Sequence, residues 1–174
     1  MTRYTLPAIV LHWLMALLII WAFTLGLRMV DMPGLTPDKL KYFSWHKWLG
    51  VTVLGLACVR LLWRVFHPAP AYPASMPRWQ QKAANGLHAF LYLLIFIVPL
   101  SGYFYSLADG VPVVYLGVIP LPVLMEKNAV WKPILKELHD TLTTVLLVVF
   151  CLHVLAALKH HFIDKDGIFK RMWL

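Results

Sequence analysis

Long apolar runs, separated by short clusters of charge and proline, divide the chain into four helical spans. A hydrocarbon core about 30 Å thick needs about 20 apolar residues in helical form. Four runs meet that length, covering approximately residues 6–27, 45–65, 83–107 and 135–158. Arg3 and Arg28 bracket the first, and Arg60 and Arg64 fall in the last turns of the second. The second stops at His67-Pro68-Ala69-Pro70, because proline lacks the N–H that continues a helical ladder. A fifth apolar stretch, Val111 to Met125, holds Pro112, Gly117, Pro120 and Pro122. It is too short and too broken to span, and reads as an interfacial loop over one end of the bundle. The expected fold is an all-α membrane protein: one domain over residues 1–174, built as a four-transmembrane-helix bundle.

Composition sharpens this reading. Of the 174 residues, 60% are hydrophobic and 14% charged, where soluble domains carry about 25% charge. The net charge of +8 is explained by membrane topology. No basic stripe is interleaved with aromatics on a soluble surface, so lipid is an expected partner and nucleic acid is not. No cleavable signal peptide is expected, since the first run is too long and lacks a small-residue cleavage pattern. Four spans put both termini on one side. Placing them inside puts Arg3, Arg60, Arg64, Arg78, Lys82, Lys159, Lys165, Lys170 and Arg171 there, nine of the sixteen basic residues. A mild positive-inside bias thus places both termini in the cytoplasm. Trp13, Trp45, Trp48 and Trp63 fall near span ends, where tryptophan anchors helices at the interface.

Histidines carry the chemistry. His139 and His153 are fourteen residues apart on one expected helix, about 21 Å along the axis and about 40° short of four full turns. Both imidazoles therefore leave nearly the same face at different depths. A single metal site would want spacing of about three or four. His46 matches His139 in depth near the outer ends of their spans, and His12 matches His153 near the inner ends. Ionisable groups inside a membrane are costly and usually functional. Two depth-matched pairs suit two hemes, each iron clamped by neutral imidazoles. There is no Cys-x-x-Cys-His, so covalent heme attachment is excluded. Cys58 and Cys151 are either inert buried thiols or a structural disulfide.

His88 in the third span lies near the inner depth, as an alternative ligand to His12 or as a neighbour that bonds a propionate or lines a quinone pocket. Gly50 and Gly55 follow His46 and permit close approach of a macrocycle, or simply close helix packing. Arg60 lies about 21 Å deeper than His46; it meets a heme propionate or snorkels to the interface. His160 and His161 lie about two turns beyond His153, placed either to bind a quinone carbonyl and relay its protons or as a solvated helix end.

Taken together, these residues resemble the bacterial cytochrome b561 family of four-helix diheme b proteins. The matching pieces are Leu11-His12-Trp13, Trp45-His46-Lys47 with Gly50, Leu138-His139-Asp140, Leu152-His153, and the run from Ala157 to Asp166 followed by Lys170-Arg171-Met172. The cytochrome b subunits of formate dehydrogenases and nickel–iron hydrogenases are more distantly similar. The resemblance implies two hemes b held by His12, His46, His139 and His153, a place in the bacterial inner membrane, and quinone oxidoreductase activity. One branch acts as a superoxide oxidase, which implies superoxide as the periplasmic donor, ubiquinone as acceptor near the cytoplasmic heme, and His160 at the quinone. Cations near the outer heme would steer the superoxide anion. Lys39, Lys41 and Lys47 cluster at the start of span two, although seven bases against six acids leave the outer side a net charge of only +1.

Two other functions stand beside the enzyme. An electron-transfer cytochrome b subunit would serve a separate periplasmic redox protein, with the Val111 to Met125 loop as its docking surface. A heme-free proton or metal transporter would use the histidines as a relay, but the span interiors lack the acids such relays include.

Overall fold

The computed structural model describes residues 3–173 and contains four helices long and apolar enough to cross a membrane. These are α1 (Leu6–Asp31), α2 (Pro37–Phe66), α3 (Arg78–Ala108) and α4 (Trp131–Lys159), the last running on through a π-helical turn at His160–Asp164. Each outruns its apolar core at one or both ends. Local chemistry sets those boundaries. The Thr36 hydroxyl accepts from the Lys39 N–H at 3.2 Å and Pro37 occupies the first turn of α2, so the cap recruits polar residues ahead of the apolar run. Asp38 in that turn complements the positive helix end. At the other end His67 leaves helical geometry just before Pro68.

Helix α1 packs along α2, α3 along α4, and α2 joins the two hairpins through α3. Two small clusters hold the interior. Met15, Val53 and Ala57 pack with Ile95 and Phe96, and Leu94, Leu146 and Val149 pack with Ile19 and Leu142. Outside them many large apolar side chains face outward, Leu17, Trp21, Leu62 and Leu155 among them. In water that surface would be untenable; in lipid it is the expected one, since acyl chains are as apolar as the side chains. Pro99 lies inside α3 and costs it one backbone bond, a break tolerated in bilayers where neighbouring groups absorb it.

Both ends are closed by extramembrane chain. At the end away from the termini, Val111 to Met125 does not span but folds back as a two-stranded hairpin, β1 (Val114–Tyr115) with β2 (Ile119–Pro120). The Trp48 indole donates to the Val114 carbonyl at 2.8 Å, and the Thr52 and Tyr115 hydroxyls meet at 3.0 Å, docking the hairpin on α2. At the terminal end, the segment after α4 doubles back under α1. The Trp13 indole donates to the Met172 carbonyl at 2.7 Å, and the buried Arg171 guanidinium donates to the Ala71 carbonyl at 2.6 Å. Cys58 and Cys151 are free thiols on exposed positions, which removes the disulfide alternative.

Candidate functional site

The bundle brings its histidines together at two levels. At the distal level, away from the termini, the rings of His46 (α2) and His139 (α4) have centroids 6.1 Å apart and planes inclined at 86°. At the terminal level, His12 (α1) and His153 (α4) stand 6.0 Å apart at 72°. Two imidazoles on opposite sides of one metal, each at about 2.0 Å from nitrogen to metal, have centroids about 6 Å apart. Both pairs fit that spacing. His88 from α3 adds a third ring at the terminal level, 5.3 Å from His153.

The distal pair is oriented by the backbone. His46 Nδ1 lies 2.8 Å from the Ala22 carbonyl, and His139 Nδ1 lies 3.1 Å from the Val98 carbonyl. A carbonyl only accepts, so each Nδ1 carries the proton and each Nε2 presents a bare lone pair. The Ser101 hydroxyl donates to the same Val98 carbonyl at 2.8 Å, leaving its oxygen to accept from His139 Nδ1 at 3.0 Å. Between the rings lies a cavity of about 170 Å³, walled by apolar groups such as Phe23, Val53, Pro99, Leu146 and Phe150. An apolar slot with one unprotonated imidazole nitrogen on each wall has the chemistry a heme requires.

Glycine makes the close approach possible, at positions the sequence did not single out. A Cβ on Gly102 would sit 2.8 Å from His139 Cε1, and one on Gly26 would sit 3.4 Å from His46 Cε1. Each glycine stands four residues after the carbonyl its histidine uses, Ala22 or Val98. A helical Cβ tilts toward the preceding turn, so any larger residue there would screen the carbonyl from the imidazole. Gly50 lines the cavity beside Pro99, whereas a Cβ on Gly55 would meet nothing within 4 Å.

The terminal level is more polar. Arg60 donates to the Tyr92 hydroxyl at 3.1 Å and to the Ala8 carbonyl at 2.9 Å. Those partners stand one turn after His88 and one turn before His12, which holds the guanidinium within electrostatic range of His12, His88 and His153. Arg60 also lines a small cleft with Arg64, Trp63, His67 and Met172. Just beyond, His160 Nδ1 lies 2.6 Å from an Asp166 carboxylate oxygen and 3.2 Å from Asp164, which in turn pairs with Lys159 at 2.5 Å. The carboxylate accepts, so Nδ1 is the donor and Nε2 is free for a further partner. His161 turns away to pack on Phe162 and Phe169.

The lysines near the distal level are largely engaged. Lys41 pairs with Asp38 at 3.2 Å, Lys132 with Asp109 at 2.5 Å and Lys136 with Asp140 at 2.6 Å. The Lys39 ammonium donates to the Met32 carbonyl at 2.6 Å. Lys47 makes no ion pair among the described residues and is half-buried beside His46. Sequence reasoning missed Gly26, Gly102, Ser101, Tyr92 and Asp166. Of these, only Asp166, six residues past His160 in a charged helix end, left a trace in the local pattern.

The chain matches the family described as prokaryotic cytochrome b561 over residues 3–174. It is 35% identical over 170 residues to cytochrome b561 homolog 2 of Escherichia coli K12, covering 98% of this chain and 90% of that protein. Cytochrome b561 homolog 1 of the same organism is 27% identical, covering 99% and 97% respectively. A Yersinia pestis protein named as a probable superoxide oxidase, CybB, is 30% identical, covering 98% and 95%.

Proposed function

This chain belongs to the prokaryotic cytochrome b561 family, and from that premise we propose that it is a diheme oxidoreductase of the bacterial inner membrane. Membership itself implies heme b and membrane electron transfer. The finer reading is that one four-helix domain over residues 1–174 passes electrons from superoxide at the periplasmic face to ubiquinone at the cytoplasmic face. The observation that carries it is the recurrence, at two depths on α4, of a histidine facing a second histidine at about 6 Å.

His46 with His139, and His12 with His153, would each hold one heme b through Nε2, with His88 beside the second pair. When bound, each heme supplies a one-electron site. The protein's own residues orient, insulate and handle protons. The Ala22 and Val98 carbonyls lock the distal imidazoles, and the apolar cavity walls exclude water. Two superoxide ions each give up one electron and leave as dioxygen; one ubiquinone takes both electrons and two protons and leaves as ubiquinol. His160, held by Asp166 at 2.6 Å, would hydrogen-bond a quinone carbonyl and pass it a proton. With both termini in the cytoplasm this dyad lies on the proton-supplying side. Lys39, Lys41 and Lys47 flank the distal site as the steering cations. The name of the Yersinia relative, a probable superoxide oxidase, supports superoxide as the donor.

A second reading, a cytochrome b subunit serving a separate periplasmic redox protein, is favoured by the exposed apolar tip of the distal hairpin at Leu116, Val118 and Ile119. One set of measurements separates them. Heme per chain by pyridine hemochrome assay is expected to be two, and superoxide is expected to reduce the purified protein rapidly, with electrons recovered in added ubiquinone. Heme reduction that fails with superoxide but occurs with a co-purifying protein would shift the assignment to the subunit. Absence of heme from folded protein produced with ample heme would overturn both.

A further inference from the structure

The two histidine levels differ in what surrounds them, and both differences act on electron affinity in the same direction. Each distal imidazole donates its Nδ1 proton to a carbonyl, and His139 donates to Ser101 as well. Donation enriches Nε2 in electrons and makes the ring a stronger ligand for the oxidised metal, which lowers the potential. Among the described residues, the ring nitrogens of His12 and His153 make no such bond. Instead a fixed guanidinium stands beside them. Arg60 is held at that level from two sides, and among the described residues the charged groups within electrostatic range of His12, His88 and His153 include Arg60 and Arg64 but no carboxylate. A nearby cation disfavours the more positive oxidised state and raises the potential. At the distal level Lys136 is neutralised by Asp140 and Lys132 by Asp109, which leaves only the smaller excess of Lys47 beside His46.

We propose that Arg60 and Ser101 are positioning residues that set the redox order, so that the terminal site is the stronger electron acceptor and electrons settle beside the His160–Asp166 dyad. The inference rests on the two-heme reading. It gives each residue a defined and opposite role. Arg60 supplies charge without touching the reacting atoms, and Ser101 acts through the His139 ring. Removing Arg60 therefore lowers one potential, while removing the Ser101 oxygen raises the other.

The test is a potentiometric titration of the reduced heme bands in purified protein, comparing wild type with Arg60→Gln, Arg60→Lys and Ser101→Ala. Wild type is expected to resolve two one-electron components. A contact charge moves an ionic equilibrium by about one to three decades. At longer range, Arg60→Gln is expected to change the reduced-to-oxidised ratio of the higher component roughly tenfold, about 59 mV for a one-electron couple, leaving the lower in place. Arg60→Lys, which keeps the charge, restores most of that shift. Ser101→Ala raises the lower component by a smaller amount, since the Val98 carbonyl still accepts from His139. The variants themselves assign each component to its level, by which of the two each one moves. If Arg60→Gln moves the lower component, or neither, the proposed order is wrong. If it fails to fold, Ser101→Ala decides: movement of the higher component overturns the order. One heme per chain in wild type would instead overturn the two-heme reading itself.

Discussion

Gly102→Ala is the sharpest test of the distal site, because the three heavy atoms nearest an added methyl group all belong to His139. The added Cβ would lie 2.8 Å from His139 Cε1, 3.1 Å from Nδ1 and 3.3 Å from Nε2. Carbon atoms pack best at about 3.5–4.0 Å, so the imidazole must retreat by at least about 0.7 Å. Its bonds to the Val98 carbonyl at 3.1 Å and Ser101 at 3.0 Å have little slack for such a move. Overpacking costs about 1–3 kcal/mol, and losing a neutral hydrogen bond adds about 0.5–1.5 kcal/mol. The helix gains back about 0.5–1 kcal/mol when glycine becomes alanine. The net is on the order of 1–3 kcal/mol against the orientation of His139, or about a 5- to 150-fold loss of heme affinity at that level. The assay is heme transfer from the membrane protein to an excess of a heme-scavenging globin. Gly102→Ala should release one of two hemes fastest. Gly26→Ala, whose Cβ would lie 3.4 Å from His46 Cε1, should be intermediate, and Gly55→Ala, with open space around it, should match wild type. Equal release by Gly102→Ala and Gly55→Ala, with unchanged reduced spectra, would refute the argument that glycine sets the ring position.

Two further outcomes follow from the ends of the bundle. His160→Gln and Asp166→Asn should each slow ubiquinone reduction by about tenfold or more, since positioned acid–base groups contribute about 10²–10⁴, while heme content stays at the wild-type value. Unaltered quinone turnover in either variant would sink the dyad's role. At the distal end, Lys47→Gln should weaken the salt dependence of reduction by superoxide more than Lys41→Gln does, because Asp38 already offsets Lys41. Equal effects of the two, measured across ionic strength in rapid-mixing experiments, would show that the ion pair does not decide which lysine steers.

What the sequence reveals and what it hides divide along a physical line, between arithmetic along one helix and rotation of one helix against another. Four spans are legible because a bilayer demands about 20 apolar residues each time, and the proline-rich stretch from Val111 declares itself unable to comply. The two levels of histidine are legible because rise per residue is the same in every helix. His139 and His153 must differ in depth whatever surrounds them. Helix ends are less so, since the cap at Thr36 and the π-helical turn at His160–Asp164 extend polar residues into helix beyond the apolar window. Which glycine faces which imidazole is not legible at all. Gly26, Gly50, Gly55 and Gly102 look alike on paper, and the helix rotations that bring Gly26 to His46 and Gly102 to His139 are set by packing in the clusters around Met15 and Leu94. The same holds for Arg60. Its depth follows from counting, yet its partners come from α1 and α3, and they hold the charge beside three histidines rather than letting it snorkel. The depth of each proposed ligand is thus a one-dimensional property of this chain, whereas what surrounds it is a three-dimensional one. For that reason the structure adds most in the partners that hold each histidine, such as the Ala22 and Val98 carbonyls.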